Sequence, residues 1–400
     1  MPFIEQLLNG ENVEWKPLGE VITIEKGKQL NKSLLTESGE YPAYNGGVTY
    51  SGFTDKYNYS ENKIIISQGG ASAGFVNFIT TKFYANAHCY VVLPNISKVD
   101  NKYVYHLLKM NQENLMGKQL GAGIPALHTA NILGISIPIP CPDNPTKSLD
   151  IQHRIVEILD KFTELEAELE AELDCRKRQY EYYRNQLLSF DMLNRGGQKL
   201  NDVKIITLGD LGMFVRGSGL QKKDLTTQGI PAIHYGQIYT YYGTYAKKTK
   251  SFVTKEMAEK LKKVNYGDVI ITNTSENIED VCKAVVYLLK EQGVTGGHAS
   301  IFKPSEKIIG KYLAYYTQTT DFAKEKRKFA KGTKVIDVNA KDLAKIKIPL
   351  PPLSVQREIV EILDKFDTLC NSISEGLPTE IELRRKQYEY YRNQLLTFAQ

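Results

Sequence analysis

The decapeptide QYEYYRNQLL occupies residues 179–188 and recurs unchanged at residues 387–396. A second block, IVEILDKF, is also repeated, at residues 155–162 and 359–366. The copies of the first block are 208 residues apart and those of the second block are 204 apart, so the second half carries four more residues between its blocks. Such an internal repeat predicts that the chain is a duplication of one structural unit.

Both repeated segments have the apolar spacing of a long packed helix. Apolar and aromatic residues recur at steps of three and four over residues 151–190 and again over 355–398. This is the heptad pattern of a coiled coil, and an added step of four keeps the stripe on one face. The first helix should be continuous, whereas Gly376 and Pro378 should interrupt the second. The predicted packed positions are Ile155, Ile158, Phe162, Leu165, Leu169, Tyr180, Tyr183, Leu187, Ile359, Ile362, Phe366, Leu369, Tyr388, Tyr391 and Leu395.

These two helices can pack on each other, associate between chains or present a docking face to a partner. The face of the decapeptide that carries Arg184 and Arg392 is expected to be free for such a partner. A coiled coil with no further role is the plainer interpretation.

The regions at residues 14–148 and 203–350 have a mixed α/β pattern. Helical spacing at 102–112 and 311–332 alternates with short β-branched runs. The runs that predict strands are KIIIS (63–67), CYVVLP (89–94), DVIIT (268–272) and KAVVYLL (283–289).

A proline-rich segment follows each mixed region. IPIPCPDNPTKS (137–148) and IPLPPLS (348–354) are predicted to be extended, rigid connectors to the helices. Ser148 or Asp150, and Ser354 in the second copy, are the expected helix caps.

Composition excludes several classes of protein. No run is long and apolar enough for a membrane span, and the N-terminal residues lack the pattern of a signal peptide. Five scattered cysteines without a C-x-x-C pair predict a reducing compartment, so we expect a cytoplasmic protein. The net charge of +5 is compatible with nucleic acid but does not require it.

The sequence contains no catalytic signature. Neither the phosphate-binding G-x-x-x-x-G-K-[ST] nor a dinucleotide-binding G-x-G-x-x-G is present. The Asn-Pro-Pro-aromatic motif of amino-methyltransferases is also absent, since DNPT at residues 143–146 lacks its second proline and its aromatic residue. The six histidines form no H-x-H or i,i+4 pair, so we expect no metal. A duplicated domain without a catalytic group favours binding over catalysis.

Clustered cations and polar loop residues favour nucleic acid as the ligand. KEKRKFAKGTK (324–334) holds six cations and one anion, and His88 and His298 occupy matching positions in the two halves. Cations neutralise phosphates, whereas Asn, Gln, Ser and His on loops read base edges. A solvated charged face and a structural histidine are the alternatives. The candidate DNA contacts are Lys26, Lys28, Tyr44, Asn45, Gln68, Ser72, His88, Lys118, Arg216, Ser218, Gln221, Tyr235, Gln237, Thr272, Asn273, Ser275, His298, Lys331 and Lys334.

Taken together, these features resemble the specificity subunit of type I restriction–modification systems. The resemblance spans the whole chain and is carried mainly by the helical segments from QHRIVEILDKF to NQLLSF and from QREIVEILDKF to NQLLTF. The opening FIEQLLNGENVEWKPLGEV and the run YPAYNGGVTYSGFTDKY also resemble the family.

The resemblance implies a mixed α/β (α+β) fold. Two globular target-recognition domains would be separated by two long antiparallel coiled-coil helices, in a pseudo-twofold and nearly circular arrangement. Each recognition domain would read, in the major groove, one half of a bipartite, asymmetric site on double-stranded DNA. The helices would fix the spacing and bind two modification (methyltransferase) subunits, and two restriction subunits can join that core.

The resemblance also implies that this chain is not itself an enzyme. It would hold no cofactor, because S-adenosylmethionine would bind the methyltransferase subunits and ATP and Mg²⁺ the restriction subunits. The assembled complex would be a site-specific DNA adenine methyltransferase and, with restriction subunits, an ATP-dependent endonuclease.

The expected division has four parts. Residues 1–148 would form the first recognition domain, with 1–13 closing onto the C-terminal helix. Residues 149–192 would form the first conserved helical spacer, 193–352 the second recognition domain and 353–400 the second spacer. The two ends of the chain should meet, because FIEQLLNGENVEWKPLGE resembles the stretch that follows the first decapeptide.

The sequence is also compatible with two other classes of protein. A non-enzymatic coiled-coil scaffold or signalling protein with ligand-binding domains would show no salt-dependent DNA binding. A DNA methyltransferase or nuclease would turn over substrate without other subunits, but its motifs are missing.

The first helical segment offers a direct test of spacing. Deletion of Glu166–Leu169 removes one EAEL unit. The helix shortens by about 6 Å while its apolar stripe stays in register. We expect methylation mapping to show an altered unread spacer and unaltered half-sites. Altered half-sites with an unaltered spacer would contradict this prediction.

Overall fold

The computed structural model describes residues 3–8, 10–118, 126–195, 203–372 and 374–398. Contacts within the chain group it into two compact units. Unit 1 is Met1–Leu169 with Ile381–Gln400, and unit 2 is Glu170–Glu380. Each unit combines sheets with helices, so the predicted mixed α/β fold is confirmed.

Unit 1 contains nine strands and the helices that cover them. Its elements are α1 (Phe3–Leu8), β1 (Val13–Pro17), β2 (Ile22–Lys26), β3 (Tyr41–Tyr44), β4 (Gly52–Thr54), β5 (Lys63–Ser67), β6 (Val76–Ile79), β7 (Tyr84–Ala85), β8 (Cys89–Pro94), α2 (Asn101–Met110), α3 (Gln112–Gly117), α4 (Thr129–Leu133), β9 (Ser136–Pro140) and the first part of α5 (Pro145–Leu187). They form sheets of order β2-β8-β5-β6, β4-β3-β7 and β1-β9.

Local sequence explains the core of unit 1. The run KIIIS of β5 is buried on both faces, as a central strand rich in β-branched residues should be. Helix α2 begins where the Asp100 side chain accepts from Tyr103 N–H (2.9 Å), and it buries Tyr103, Val104, Leu107 and Leu108 against this sheet.

Unit 2 repeats this plan with additional strands. Its elements are the second part of α5, α6 (Phe190–Arg195), β10 (Lys204–Thr207), α7 (Leu208–Leu211), β11 (Gly212–Arg216), β12 (Ile230–Ile233), α8 (Tyr235–Thr240), β13 (Tyr245–Ala246), β14 (Ser251–Val253), α9 (Lys255–Lys260), β15 (Lys262–Val264), β16 (Val269–Thr272), β17 (Thr274–Ser275), β18 (Ala284–Tyr287), β19 (Gly293–Thr295), β20 (Ala299–Pro304), α10 (Gly310–Tyr316), α11 (Thr320–Arg327), β21 (Ile336–Asp337), α12 (Ala340–Leu343), β22 (Lys347–Leu350), α13 (Leu353–Asn371) and the start of α14 (Leu377–Thr397). The rest of α14 belongs to unit 1. The sheets have the orders β11-β20-β16-β18-β13, β14-β12-β19-β15, β10-β22 and β17-β21.

The first part of each proline-rich segment is extended but forms a paired β-strand, so the prediction of free-standing connectors is wrong. β9 pairs with β1, placing Pro138 opposite Trp15, and β22 pairs with β10, placing Pro349 opposite Ile205. Each sheet has only two strands, so a proline that lacks N–H is tolerated on the unpaired side.

The predicted helix caps are also wrong. Helix α5 begins at Pro145, and the Asn144 side chain accepts from Lys147 N–H (3.1 Å), so Ser148 and Asp150 lie inside the helix. Helix α13 begins at Leu353 without a side-chain cap, which places Ser354 inside it. Proline at the first helical position has the right φ and no N–H to satisfy.

The long helices pack antiparallel in each unit. In unit 1, Phe162 of α5 stacks on Tyr391 of α14 (ring centroids 5.2 Å apart), and Glu166 pairs with Arg385 (2.6 Å). In unit 2, Tyr183 of α5 packs on Phe366 of α13 (5.7 Å). These two aromatic pairs are the same pair in the duplication. The 43-residue helix α5 is unbroken, and the predicted interruption near Gly376 is present between α13 and α14.

The predicted packed positions are covered to different degrees. Ile155, Tyr180, Ile359, Tyr388 and Leu395 are buried. The partly covered positions are Ile158, Phe162, Leu165, Leu169, Leu187, Phe366 and Leu369. Exposure is greater at three others, which are Tyr183, Ile362 and Tyr391.

The decapeptide presents tyrosine rather than arginine to solvent. Arg184 lies over the Tyr180 ring (5.0 Å) and donates to Gln318 Oε1 (3.1 Å). Arg392 lies over the Tyr388 ring (5.1 Å), and its Nε is buried, as is that of Arg184. The expectation that these arginines are free for a partner is therefore wrong, because they complete the packing of their own unit.

A partly buried carboxylate joins α2 in unit 1, and α10 in unit 2, to a long helix. In unit 1, Asp160 of α5 accepts from Lys102 (2.5 Å) and lies 3.0 Å from Nε2 of fully buried His106, whose Nδ1 lies 2.9 Å from the Tyr388 hydroxyl. Burial opposes ionisation of Asp160, but the hydrogen bonds from His106 and Lys102 outweigh it and hold its pKa below the usual value.

Unit 2 contains the corresponding carboxylate. Asp364 of α13 accepts from Lys311 (2.5 Å) and from the Tyr315 hydroxyl (2.6 Å), both on α10. Tyr315 thus stands where unit 1 has His106.

The two ends of the described chain lie against one core. Leu7 and Leu8 pack on the hydrophobic cluster of unit 1 that contains Leu395, Leu396 and Phe398. A nearly circular chain requires this proximity.

Candidate nucleic-acid interface

The strand register places several of the predicted DNA-contact residues of unit 1 at one edge of its main sheet. β8 runs antiparallel to both β2 and β5, with Lys26 opposite Tyr90 and Ser67 opposite Cys89. The ends of β2 and β5 therefore lie beside the start of β8. At that edge, Lys26 is the last residue of β2, Gln68 follows β5 and His88 precedes β8.

Hydrogen bonds tie the neighbouring loops to the same edge. Asn86 N–H donates to Tyr44 O (2.9 Å), and Gln68 N–H donates to His88 O (2.8 Å). The Ser67 hydroxyl donates to Gly47 O (3.2 Å), and Lys28 N–H donates to Ala85 O. These bonds join Tyr44, at the end of β3, to the loops that carry Asn45, Gln68 and His88, with Lys26 and Lys28 beside them. Gly74 N–H donates to Ser67 O (2.8 Å) and holds the turn that contains Ser72 at the end of β5.

Unit 2 has the same construction. Arg216 lies opposite Ser300 and Thr272 opposite Ala299, so β11 and β16 end beside the start of β20. Gly217 N–H donates to Ala299 O (2.9 Å) and Asn273 N–H to His298 O (2.8 Å). Arg216, Ser218 and His298 therefore occupy the edge that Lys26, Lys28 and His88 occupy in unit 1, and both histidines are exposed.

Aromatic contacts bring the loop after β12 to this edge. The Tyr235 ring lies 4.7 Å from the His298 ring and 4.6 Å from the His234 ring. Thr274 Oγ1 lies 3.1 Å from Nδ1 of His298. Ser275 follows in β17, which pairs with β21, and Lys331 lies opposite Asp337 at the end of β21.

Three of the predicted contacts serve the fold instead. Thr272 and Asn273 are 0% and 1% exposed, and Asn273 donates to Val338 O (2.7 Å) while accepting from Ser300 (2.9 Å). Gln237 donates to Ser251 Oγ (2.6 Å) and accepts from His234 N–H (3.2 Å). These side chains are engaged within unit 2, so we leave them out of the proposed interface.

The remaining predicted contacts lie farther from the strand ends. Lys118 follows α3, Gln221 precedes a short 3₁₀ turn at Lys222–Asp224, and Lys334 lies in the loop before β21; all three are exposed. Lys331 pairs with Asp342 (3.1 Å).

One cation of the KEKRKFAKGTK cluster is not on the surface. Lys326 is buried and donates to the carbonyls of Glu279 (2.7 Å) and Val281 (2.8 Å). Burial lowers its pKa. The cluster therefore offers five surface cations, some of them paired with acids of unit 2.

Two residues of the edge were missed by sequence reasoning. His234 and Thr274 both adjoin predicted contacts, but neither belongs to a motif. The signal that could have found His234 is the duplication itself, since β12 (IPAI) matches β3 (YPAY) and His234 therefore corresponds to Asn45, a predicted contact.

The described part of the chain holds no cluster of three or more metal-ligating side chains. It also has no helix long and apolar enough to cross a membrane. All five cysteines are free thiols.

Comparisons with known proteins agree with this construction. The family model for the type I restriction modification DNA specificity domain matches twice, at residues 10–174 and 201–383. The chain belongs to this family of non-catalytic specificity subunits. Curated relatives include the EcoR124I/EcoR124II specificity subunit of Escherichia coli, 36% identical over 100% of this chain and 97% of the relative. A putative specificity subunit of Haemophilus influenzae, S.HindORF215P, is 33% identical over 99% of this chain and 98% of its own.

The fold is also that of solved proteins. The crystal structure of a type I S subunit from M. genitalium matches with a TM-score of 0.61 at 22% identity, covering 97% of each chain. A second structure, from work on assembly of the type I system, matches with a TM-score of 0.61 at 14% identity, covering 96% of this chain and 97% of that one.

Close backbone contact at both edges predicts intolerance of a side chain. A Cβ at Gly27 would lie 2.2 Å from Asn86 O, and one at Gly217 would lie 2.0 Å from Gly296 O. We expect Gly27→Ala and Gly217→Ala each to cost about 1–3 kcal/mol and to lower the midpoint of thermal unfolding. Gly117→Ala is the control, because its Cβ would meet nothing within 4 Å. Unaltered midpoints in all three variants would show that the edges are looser than described.

Proposed function

We propose that this chain gives a type I restriction–modification complex its DNA sequence specificity. Each recognition domain reads one half of a bipartite, asymmetric site in the major groove, and the long helices set the spacing. The observation that carries the proposal is the duplicated edge, at which strand ends, polar loops and a matched histidine recur in both units of a specificity-family chain.

The two edges carry the chemistry that DNA requires. Lys26 and Lys28 in unit 1, and Arg216 in unit 2, are exposed cations beside the polar loops of the edges, and Lys118 and Lys334 are exposed cations farther from the strand ends. Cations of this kind position a protein on phosphates, and the polar side chains between them are free to contact base edges. The edges differ in sequence, so the two half-sites would differ as well.

The helices supply a second surface, which we call the tyrosine pairs: Tyr182 with Tyr183, and Tyr390 with Tyr391. Tyr182 and Tyr390 are 59% and 61% exposed, and in each pair the ring centroids are 5.4 Å apart. Packing within the chain explains why the two copies of the decapeptide are identical at their buried positions. It does not explain why they are also identical at exposed positions such as these. Two identical surfaces fit two copies of one partner, and exposed tyrosines are favourable contact residues.

We infer that this partner is the modification (methyltransferase) subunit, bound in two copies. S-adenosylmethionine would then bind the partner, and this chain would contribute no catalytic group. DNA adenine methylation, and ATP- and Mg²⁺-dependent cleavage where two restriction subunits join, would be activities of the complex, acting on DNA in the cytoplasm. We retain the four-part division at residues 148, 192 and 352 as a functional division into readers and spacers.

A filter-binding titration tests the DNA-binding role. The purified chain, with and without modification subunits, is titrated with duplex DNA at two salt concentrations. Neutralising six phosphates predicts an affinity loss of about 1,000-fold between roughly 50 and 200 mM salt. Binding that is absent at both concentrations, or insensitive to salt, would favour a scaffold that does not act on DNA.

Substitution of the tyrosine pairs tests the docking surface. We expect Tyr182→Ala or Tyr390→Ala to weaken one of two docking events by about 30-fold, as loss of a buried aromatic anchor does. The double variant should lose both. Native mass spectrometry would then count two modification subunits on the wild-type chain, one on each single variant and none on the double variant.

Tyr266→Ala is the matched control, since Tyr266 is 66% exposed and lies outside the repeat. Full binding of both subunits by the double variant would overturn the assignment of this surface.

A further inference from the structure

Three rings form a continuous row at the recognition edge of unit 2. His234, Tyr235 and His298 follow one another with centroid distances of 4.6 and 4.7 Å and interplanar angles of 42° and 45°. They come from loops far apart in sequence. His298 precedes β20 in the main sheet, and His234 follows β12 in the neighbouring sheet.

Each member of the row is held in place. Nδ1 of His234 accepts from Gly236 N–H (3.2 Å) and caps α8, while His234 N–H donates to Gln237 (3.2 Å). Nδ1 of His298 is bonded to the Thr274 hydroxyl (3.1 Å), and its carbonyl accepts from Asn273 N–H (2.8 Å). Tyr235 lies between the two imidazoles. Such a rigid row loses little conformational entropy when it binds a ligand.

The cap determines the tautomer of His234. Because Nδ1 accepts a hydrogen bond from a backbone N–H, it carries no proton, and the neutral ring must carry its proton on Nε2. Burial, with His298 and Lys222 nearby, lowers the pKa of this ring and keeps it neutral. Within the described part of the chain, Nε2 has no hydrogen-bond partner, so His234 offers one N–H donor of fixed orientation.

A single N–H donor discriminates among bases in the major groove. Guanine offers N7 and O6 as acceptors there, adenine offers N7, and thymine offers O4. Cytosine offers its N4 amino group, which is a donor and would face the His234 donor directly. A fixed donor at this position therefore excludes cytosine from the base that it contacts.

We propose that His234, Tyr235 and His298 form the base-reading face of unit 2, in which Nε2–H of His234 donates to a major-groove acceptor and thereby rejects cytosine. His298 contacts the neighbouring base through its own Nε2. This inference rests on the proposed function, because it assigns residues to one half of the DNA site.

Unit 1 lacks this row, which explains how the two half-sites can differ. Asn45 and Gly46 stand where unit 2 has His234 and Tyr235, so unit 1 has no ring at either position. The Tyr44 ring, which precedes them, contacts Tyr50 (6.5 Å) and Phe83 (5.9 Å). The exposed side chains of Asn45 and His88 are then the polar groups of that edge. An asparagine amide can donate to N7 of adenine and accept from its N6 amino group. It can therefore distinguish adenine from the other bases, which a single N–H donor cannot do.

The test uses a substitution that removes the proposed base contact of His234 but keeps its helix cap. His234→Asn keeps an oxygen at the capping position, since Asn is a favoured helix cap, but it removes the ring and its Nε2–H. The full chain is assembled with modification subunits, and methylation is mapped on a library randomised over both half-sites. We expect discrimination against cytosine at one position to fall by about 10-fold or more, with the other half-site unaltered.

Two further variants complete the experiment. Thr274→Val leaves Nδ1 of His298 without its partner and should relax a position next to the first. His88→Asn alters unit 1 and should affect only the other half-site. Unaltered specificity in both His234→Asn and Thr274→Val would overturn the inference.

Loss of stability and failure of the proposed function give different results. A variant that fails to fold is recognised by its thermal unfolding, and His234→Ala, which also loses the cap, measures that contribution. If the wild-type complex methylates no defined site, the proposed function itself fails. If it methylates a defined site that the variants read identically, only the base-reading face is wrong.

Discussion

One partly buried carboxylate in each unit attaches a helix that covers the main sheet to a long helix. Asp160 accepts from Lys102 and contacts His106, while Asp364 accepts from Lys311 and from Tyr315. Both oxygens of each carboxylate take part in hydrogen bonds, so charge-assisted bonds fix α2 on α5 and α10 on α13. Loss of the carboxylate would leave buried donors without acceptors, which costs more than the bonds contribute. Because α2 and α10 also share a hydrophobic core with the main sheets of their units, this attachment joins each sheet to a long helix.

The helices and central strands could be predicted because their signals are local. A 3-4 spacing of apolar residues marks α5 and α13 wherever their partners lie, and a run such as KIIIS marks a buried strand. The proline-rich segments were misread because proline fixes its φ at about −65° in an unpaired polyproline segment and in an outer β-strand alike. Only pairing separates them, and Pro138 pairs with Trp15, which is distant in sequence. Helix starts were misplaced for a related reason, since Pro145 itself begins α5.

The sequence predicted some residues of the proposed recognition edge, but not how their side chains are used. His88 and His298 stood out because they match across the duplication, and register places both beside strand ends. Thr272 and Asn273 have the side chains of base readers, yet they are buried, because the hydrogen bonds of Asn273 join β16 to residues near β21. The role of His234 depends on a helix cap and on ring contacts with another loop. Neither the burial nor the cap geometry follows from local sequence.

The central claim is that a duplicated chain carries two unlike readers, one in each unit. The most direct measurement is a base-resolution map of the DNA sites methylated by the complex of this chain with its modification subunits. We expect two different short sequences separated by an unread spacer of constant length. A continuous site, a symmetric site with identical halves, or methylation without a defined sequence would contradict it.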